Sequence, residues 1–109
     1  MALLQFAAIA DCVDRALDSF GRGTRDMIYM RMQSENKFSR EDVVYKPDEF
    51  KTYLELMFIT GSKLFERTIA RELAREFRME LNSNFDLVGA IQQAKGLLST
   101  SQDEQRIFA

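Results

Sequence analysis

An all-α fold is predicted for this chain of 109 residues, as one compact bundle of about five helices in antiparallel or orthogonal packing. The chain has only one proline and five glycines, too few turn residues for a many-stranded fold. Its apolar residues recur at spacings of three and four, which is the period of an amphipathic helix. A hydrophobic content of 46% with nine phenylalanines indicates a folded core, and the length suits a single domain.

The first predicted helix covers about residues 3 to 20 and has almost no charge in its first three turns. Its apolar stripe includes Leu3, Phe6, Ile9 and Val13. A helix this apolar lies either at the centre of a core or in a subunit interface. These four residues are therefore candidates for the core face or for a dimer face.

Capping patterns divide the middle of the chain. Thr24 is a candidate cap for a second helix that runs to about Asn36. Ser39 followed by Asp42 resembles a loose capping box and predicts a short turn. Pro47, with acidic residues behind it, predicts the start of the third helix, since proline suits the first helical position.

Two more helices are predicted towards the C-terminus. The fourth follows Gly61 and extends to about residue 79 or 81. Asn82, Ser83 and Asn84 are cap candidates for the fifth, which carries apolar residues at helical spacing.

The predicted domain boundary lies near residue 100. Residues 1 to 100 form the single helical domain, and residues 101 to 109 form a polar C-terminal tail. Ser101 and Glu104 match a capping box, so this tail is also a candidate for a short docked helix.

The fourth helix carries a row of arginines. With 100° per residue, Arg67, Arg71, Arg75 and Arg78 fall within roughly 80° of one another, opposite the apolar side of the helix. The simpler interpretation is a solvated face, partly neutralised by pairs such as Lys63 with Glu66 and Glu72 with Arg75. The alternative is a binding surface for an acidic protein, a nucleic-acid backbone or a second subunit, because arginine suits carboxylate and phosphate groups.

Glu66 lies on the opposite side of the same helix, within its apolar face. A buried carboxylate requires a charged or hydrogen-bonding partner. Arg22, Arg25 and the Tyr29 hydroxyl are the candidates on neighbouring helices. No second acid or base is predicted beside Glu66, so we interpret it as a buried structural acid rather than a catalytic group.

Common catalytic and metal chemistries are excluded by composition. The chain has no histidine and one cysteine, Cys12, which rules out an internal disulfide, Cys/His zinc sites and histidine-assisted nucleophiles. We predict no catalytic, cofactor-binding or metal-binding residue. Cys12 lies in an apolar run, where a buried free thiol is expected. With no export signal and no membrane span apparent, we expect a cytoplasmic protein.

A further set of spacings resembles a known family. The residues that carry the likeness are Phe20, Gly21, Ile28, Tyr29, Val43, Pro47, Phe50, Leu54, Phe58, Gly61, Glu66, Ile69, Leu73 and Phe77. Over roughly residues 17 to 79 they resemble an archaeal all-helical output-domain family of Nitrosopumilus type. Ile59 and Ser62 stand where that pattern has glycine and alanine. The resemblance implies a small signalling or regulatory module without catalytic residues.

The expected function is a non-enzymatic helical interaction module with a regulatory or signal-output role. The apolar first helix and six methionines suggest more apolar surface than a monomer requires, so we expect a homodimer that also binds an unidentified protein. No membrane partner is expected.

The alternative is a nucleic-acid-binding transcriptional regulator. It would use the arginine-rich helix face, or Arg22, Arg25 and Arg31, to contact phosphates. A net charge of −2 and a pI near 5.2 count against this alternative.

Overall fold

The computed structural model describes residues 2 to 81 and 85 to 108, with side chains for residues 6 to 81 and 85 to 98. All regular secondary structure in these residues is helical, which confirms the all-α prediction. The helices in the described residues are α1 (Ala2–Asp18), α2 (Thr24–Asn36), α3 (Asp42–Tyr45), α4 (Pro47–Met57), α5 (Ser62–Phe77) and α6 (Leu87–Phe108). One helix is added to the predicted set, because the short turn after α2 continues into the four residues of α3.

The turn before α3 forms only part of the predicted capping pattern, through the Asp42 carboxylate, because Glu41 occupies the capping position and makes no side-chain cap bond. The backbone N–H and the hydroxyl of Ser39 both donate to Oδ2 of Asp42, at 2.9 and 3.1 Å. Pro47 is the first residue of α4, as predicted, since its fixed φ fits a first helical turn and it has no N–H to leave unbonded. The prediction for Thr24 is wrong in detail. Gly23, with φ 87°, occupies the capping position, and Thr24 is already the first residue of α2.

Helices α2 and α5 are both followed by a left-handed residue. Lys37 and Arg78 each adopt a left-handed conformation with φ 53°. The next amides, of Phe38 and Met79, then donate to carbonyls further back in their helices, at 3.2 and 2.8 Å. The bond spans five residues in α5, from Met79 to Ala74, as in the Schellman motif, and six residues in α2, from Phe38 to Met32. Both turns place the Phe38 and Met79 side chains in the core.

Helix α1 lies at the centre of the bundle, in contact with α2, α3, α5 and α6. Ile9, Cys12, Val13 and Leu17 are fully buried by the chain itself. The structure therefore assigns Ile9 and Val13 to the core and not to a dimer face. None of the helices in the described part of the chain combines the length and the apolarity that a membrane crossing requires.

The N-terminal end of the predicted α1 stripe is only partly described. Phe6 is half-buried, and its ring centroid lies 5.9 Å from that of Tyr45. The Lys95 ammonium lies 5.6 Å from the Phe6 ring centroid, within the range of a cation–π contact. The backbone of Leu3 belongs to α1, but its side chain lies outside the described residues.

Asp14 is the polar centre of the α1 packing. It is 9% exposed, and Tyr29 of α2 donates its hydroxyl hydrogen to Oδ1 at 2.7 Å. Nε of Arg40, from the segment before α3, donates to Oδ2 at 2.8 Å. Arg25 adds a longer ion pair at 3.9 Å. Asp14 therefore joins α1 to α2 and to the segment that leads into α3.

Helix α6 differs from the prediction at both ends. Asp86 caps its start, since its Oδ1 accepts a hydrogen bond from the Gly89 amide at 2.7 Å. The predicted cap candidates Asn82, Ser83 and Asn84 lie outside the described residues. At the other end, the backbone of residues 101 to 108 continues α6 without a break, where a separate tail was predicted.

The Asp14 centre is testable with a double-mutant cycle. We expect Tyr29→Phe to lower the free energy of unfolding by about 1 kcal/mol, because it removes one hydrogen bond. Asp14→Ala leaves the Tyr29 hydroxyl and Arg40 without their acceptor and is expected to cost about 2 to 3 kcal/mol. Urea denaturation of both single variants and the double variant gives the coupling. Strictly additive losses would contradict a direct Tyr29–Asp14 bond.

Candidate interaction surface on helix α5

Helix α5 separates into a core side and an outward side, as its sequence predicts. Ile69, Ala70 and Leu73 are fully buried, and Phe65 and Phe77 are half-buried. The Phe65 ring also packs against the rings of Phe20 and Phe58, with centroid distances of 4.2 and 4.4 Å. These contacts fix the rotation of α5 about its axis and so decide which residues face outward.

The exposed residues of α5 include three arginines and one leucine, with Lys63 and Glu76 near its two ends. Arg67, Arg71 and Arg75 are exposed, and Leu64 is 61% exposed. These residues stand at positions i, i+3, i+7 and i+11 from Leu64, so they follow one line along the helix. We call Leu64, Arg67, Arg71 and Arg75 the α5 stripe.

Arg78 does not belong to this line. It is exposed, as predicted, but it lies in the left-handed turn after the last residue of α5. A wheel that assumes continuous helix therefore misplaces its side chain. The predicted row of four consists of three arginines on the helix and one in the turn that follows.

Most of the arginines elsewhere in the described residues form ion pairs with carboxylates. The separations are 3.2 Å for Arg15 with Glu76, 3.3 Å for Arg25 with Asp18, 3.3 Å for Arg31 with Glu35, and 2.8 Å for Arg40 with Asp14. Arg15 also lies 3.9 Å from Glu72, so acids of α5 pair with α1.

The α5 stripe is much less neutralised. Arg75 bonds to Glu72, which confirms one of the predicted pairs. No carboxylate among the described side chains lies within 4.0 Å of Arg67, Arg71 or Arg78, and the predicted pair of Lys63 with Glu66 is not formed within that distance. Of the two predicted pairs that would partly neutralise this face, one is formed and the other is not.

A shallow depression lies beside the stripe. Thr68, Arg71, Glu72 and Arg75 line it. The Glu72 side chain is 20% exposed and holds Arg75 while it also faces Arg15. One arginine of the depression is thus positioned by a neighbour, and the other, Arg71, has no such contact among the described side chains.

Exposed apolar side chains surround the connection from α4 to α5. Leu56, in the last turn of α4, is 69% exposed, and Ile59 is 86% exposed. We call these two residues the α4–α5 corner, and Leu64 follows them in the first turn of α5. The sequence interpretation did not predict that Leu56 and Ile59 are exposed contact residues. The available signal was that Leu56 falls off the line of Phe50 and Leu54, which form the buried side of α4.

Glu66 is buried, as predicted, but the expected partners are wrong. It is 8% exposed, and its nearest cation is Lys51 of α4, with Nζ 4.0 Å from Oε1. Tyr29 and Arg25 are engaged by Asp14 instead. Oε2 of Glu66 is buried and has no hydrogen-bond partner among the described residues.

Burial raises the pKa of the Glu66 carboxyl, because the charged form loses its hydration. Lys51 and Lys63 act in the opposite direction without cancelling this effect. A cleft between α5 and the start of α6 passes this residue, and Lys63, Arg67, Phe85 and Asp86 also line it. No arrangement of nucleophile and base is formed there among the described side chains, so the geometry supports a structural acid.

Two further kinds of reactive group can be placed in the described residues, the Cys12 thiol and the possible metal ligands. Cys12 is buried as predicted, and burial raises the pKa of its thiol to about 11. A protonated, inaccessible thiol is a poor nucleophile. No cluster of three or more potential metal ligands occurs in the described part of the chain.

The chain matches no family model, no curated protein and no solved structure. The resemblance to an archaeal output-domain family therefore stays a prediction.

The cost of burying Glu66 is testable through pH. A raised folded-state pKa means that the folded chain holds this proton more tightly, so the contribution of Glu66 to stability falls as pH rises above the ordinary pKa of 4.5. The amide introduced by Glu66→Gln does not titrate. We therefore expect the stability of this variant relative to the unsubstituted chain to increase between about pH 4 and pH 7.

Glu49→Gln is the matched control, because Glu49 is exposed in the first turn of α4. Urea midpoints across the same pH range measure both variants. A stability difference for Glu66→Gln that is constant or that shrinks with rising pH would show that the buried carboxylate is not penalised.

Proposed function

We propose that this chain is a non-enzymatic helical interaction module of the cytoplasm, with a regulatory or signal-output role through protein–protein binding. The observation that carries the proposal is the group of exposed apolar side chains at the α4–α5 connection. Leu56, Ile59 and Leu64 are 69, 86 and 61% exposed. The buried, protonated thiol of Cys12 suits a reducing compartment, and the resemblance to output domains supports the regulatory role.

A partner surface would bury these exposed apolar side chains. Single exposed apolar residues are normal on a protein surface, whereas several together mark contact sites. Leu56, Ile59 and Leu64 lie within residues 56 to 64, on the two sides of one tight connection. Removal of apolar area from water contributes about 25 cal/mol per Å², so their burial against a partner favours association.

Self-association as a homodimer belongs to this proposal, but at a different surface from the one expected from the sequence. The α1 residues Ile9 and Val13 are already buried by their own chain. The α4–α5 corner is exposed and lies on a rigid connection supported by the Phe20, Phe58 and Phe65 rings. In a two-fold dimer the same corner on each protomer meets its copy.

We expect Leu56→Ser combined with Ile59→Ser to weaken the dimer. The substitutions remove apolar contact area while leaving the core intact, because both side chains are mostly exposed. Sedimentation velocity at micromolar concentration measures the shift from dimer to monomer, and circular dichroism checks that the fold persists. Met30→Ser is the control, since Met30 is 67% exposed on α2. A monomeric unsubstituted chain would remove the homodimer from the proposal.

Nucleic-acid binding is the second candidate function. It is favoured by Arg67, Arg71 and Arg78, which are exposed and have no carboxylate within 4.0 Å among the described side chains. Phosphate contacts by Arg25 and Arg31 are less favoured, because both form ion pairs within the chain. The net charge of −2 also opposes a general phosphate attraction.

For this alternative, duplex DNA is expected to be retarded in a gel shift at about 50 mM salt, with steep weakening as salt rises. Replacing Arg67, Arg71 and Arg78 by Gln should then abolish the shift. Our leading proposal predicts no retardation under the same conditions. A shift that survives the three substitutions would place phosphate contacts elsewhere on the chain.

A further inference from the structure

We propose that the α5 stripe binds an acidic, amphipathic helical segment of a partner protein. Arg67, Arg71 and Arg75 would meet carboxylates, and Leu64 would meet an apolar side chain at one end of the segment. The inference rests on the proposed function as a protein-binding module and adds the chemistry of the partner.

Charge is the first argument. Arg67 and Arg71 stand one turn apart, with Cβ atoms about 5 to 6 Å from each other, inside a Debye length of about 8 Å. Neither has a carboxylate within 4.0 Å among the described side chains. The chain as a whole is negative, at −2, so this strip of positive charge is a local exception. Carboxylates from a partner would relieve the repulsion and form charge-assisted hydrogen bonds.

Preorganisation is the second argument. Glu72 holds Arg75 at the edge of the depression that Thr68 and Arg71 also line. A guanidinium already held by a neighbour loses less side-chain freedom when it binds. Thr68 lines the same depression, and a threonine hydroxyl can donate to a carboxylate oxygen.

The shape of the stripe is the third argument. Its residues follow the i, i+3, i+7 and i+11 positions over about 17 Å of helix. A second helix laid along α5 presents side chains at the same repeat, so acids on one of its faces can meet each arginine in turn. The 61% exposed Leu64 at the N-terminal end supplies an apolar contact that sets the direction of the partner helix.

The same features favour a protein over the other polyanions. An aliphatic Leu64 offers little to a phosphate backbone, and the α5 stripe contains no aromatic side chain on which a base can stack. An anionic bilayer would meet only Leu64 within the α5 stripe itself, with Leu56 and Ile59 following at the α4–α5 corner, so competition by vesicles is the measurement that separates a bilayer from an acidic helix. An acidic helix uses both the charges and the leucine.

The probe is a synthetic helical peptide of about four turns, with glutamates at the stripe repeat and leucine at one end. Its binding is measured by fluorescence anisotropy at several salt concentrations. We expect saturable binding that weakens with salt. Arg67→Gln with Arg71→Gln should weaken it by about tenfold and flatten the salt dependence. Leu64→Ser should weaken it without changing the salt slope.

Arg31→Gln with Lys37→Gln is the matched control, because it removes the same charge from α2 and the turn after it. Equal losses in the stripe and control variants would mean that net charge, not the stripe, drives binding. Absence of binding by the unsubstituted chain at about 50 mM salt would overturn the proposal. The proposal would also be overturned if duplex DNA or anionic phosphatidylserine vesicles displaced the peptide and bound the stripe variants more weakly than the unsubstituted chain.

The experiments distinguish a failure of the acidic-helix proposal from a failure of the proposed interaction module. The corner variants Leu56→Ser and Ile59→Ser leave the stripe unchanged, and their sedimentation tests self-association independently. A dimer that depends on the corner, together with no peptide binding, would retain the interaction module and reject the acidic partner.

Discussion

The burial of α1 by its own chain is the constraint on which the rest of the structure depends. Ala10 and Ala16 are small enough to admit neighbouring helices closely, and Cys12, Val13 and Leu17 fill the space between them. A helix enclosed in this way must satisfy any polar group it carries. Asp14 is such a group, and its bonds to Tyr29 and Arg40 determine how α2 and the segment before α3 lie against the core.

The contact between α1 and α5 also explains the charge of the exposed surface. Arg15 on α1 pairs with Glu76 and lies near Glu72, so the acids of α5 are engaged along the seam with α1. Arg67 and Arg71 on the outward side have no acid in reach among the described side chains. A helix with both signs of charge in its sequence therefore presents mainly one sign outward. This separation is the physical basis for the carboxylate partner that we propose for the α5 stripe.

The two buried acids have opposite consequences. Asp14 accepts hydrogen bonds from two residues on different elements, and these bonds define how those elements pack against α1. Glu66 has one cation at 4.0 Å and a buried oxygen without a partner among the described residues, so its charge is penalised. Asp14 is bonded to Tyr29 and Arg40, and no base is placed beside Glu66 among the described side chains, so we interpret both acids as structural. The surfaces that we propose for binding lie on the outside of α5 and at the α4–α5 corner.

The sequence by itself determined the all-α class, the start of α4 at Pro47, and the buried and outward sides of α5, because these follow from local capping and from a 3.6-residue period. A helical wheel shows on which side of its own helix a side chain lies, but not which other helix packs against that side. Only the tertiary structure decided that α1 is covered by its own chain, that Tyr29 bonds to Asp14 rather than to Glu66, and that Arg67 and Arg71 lie clear of the acids. A helical wheel of α1 places Asp14 about 40° from Ala10, at the edge of the apolar arc. Its donors, however, come from residues 15 and 26 positions away, which no local pattern encodes.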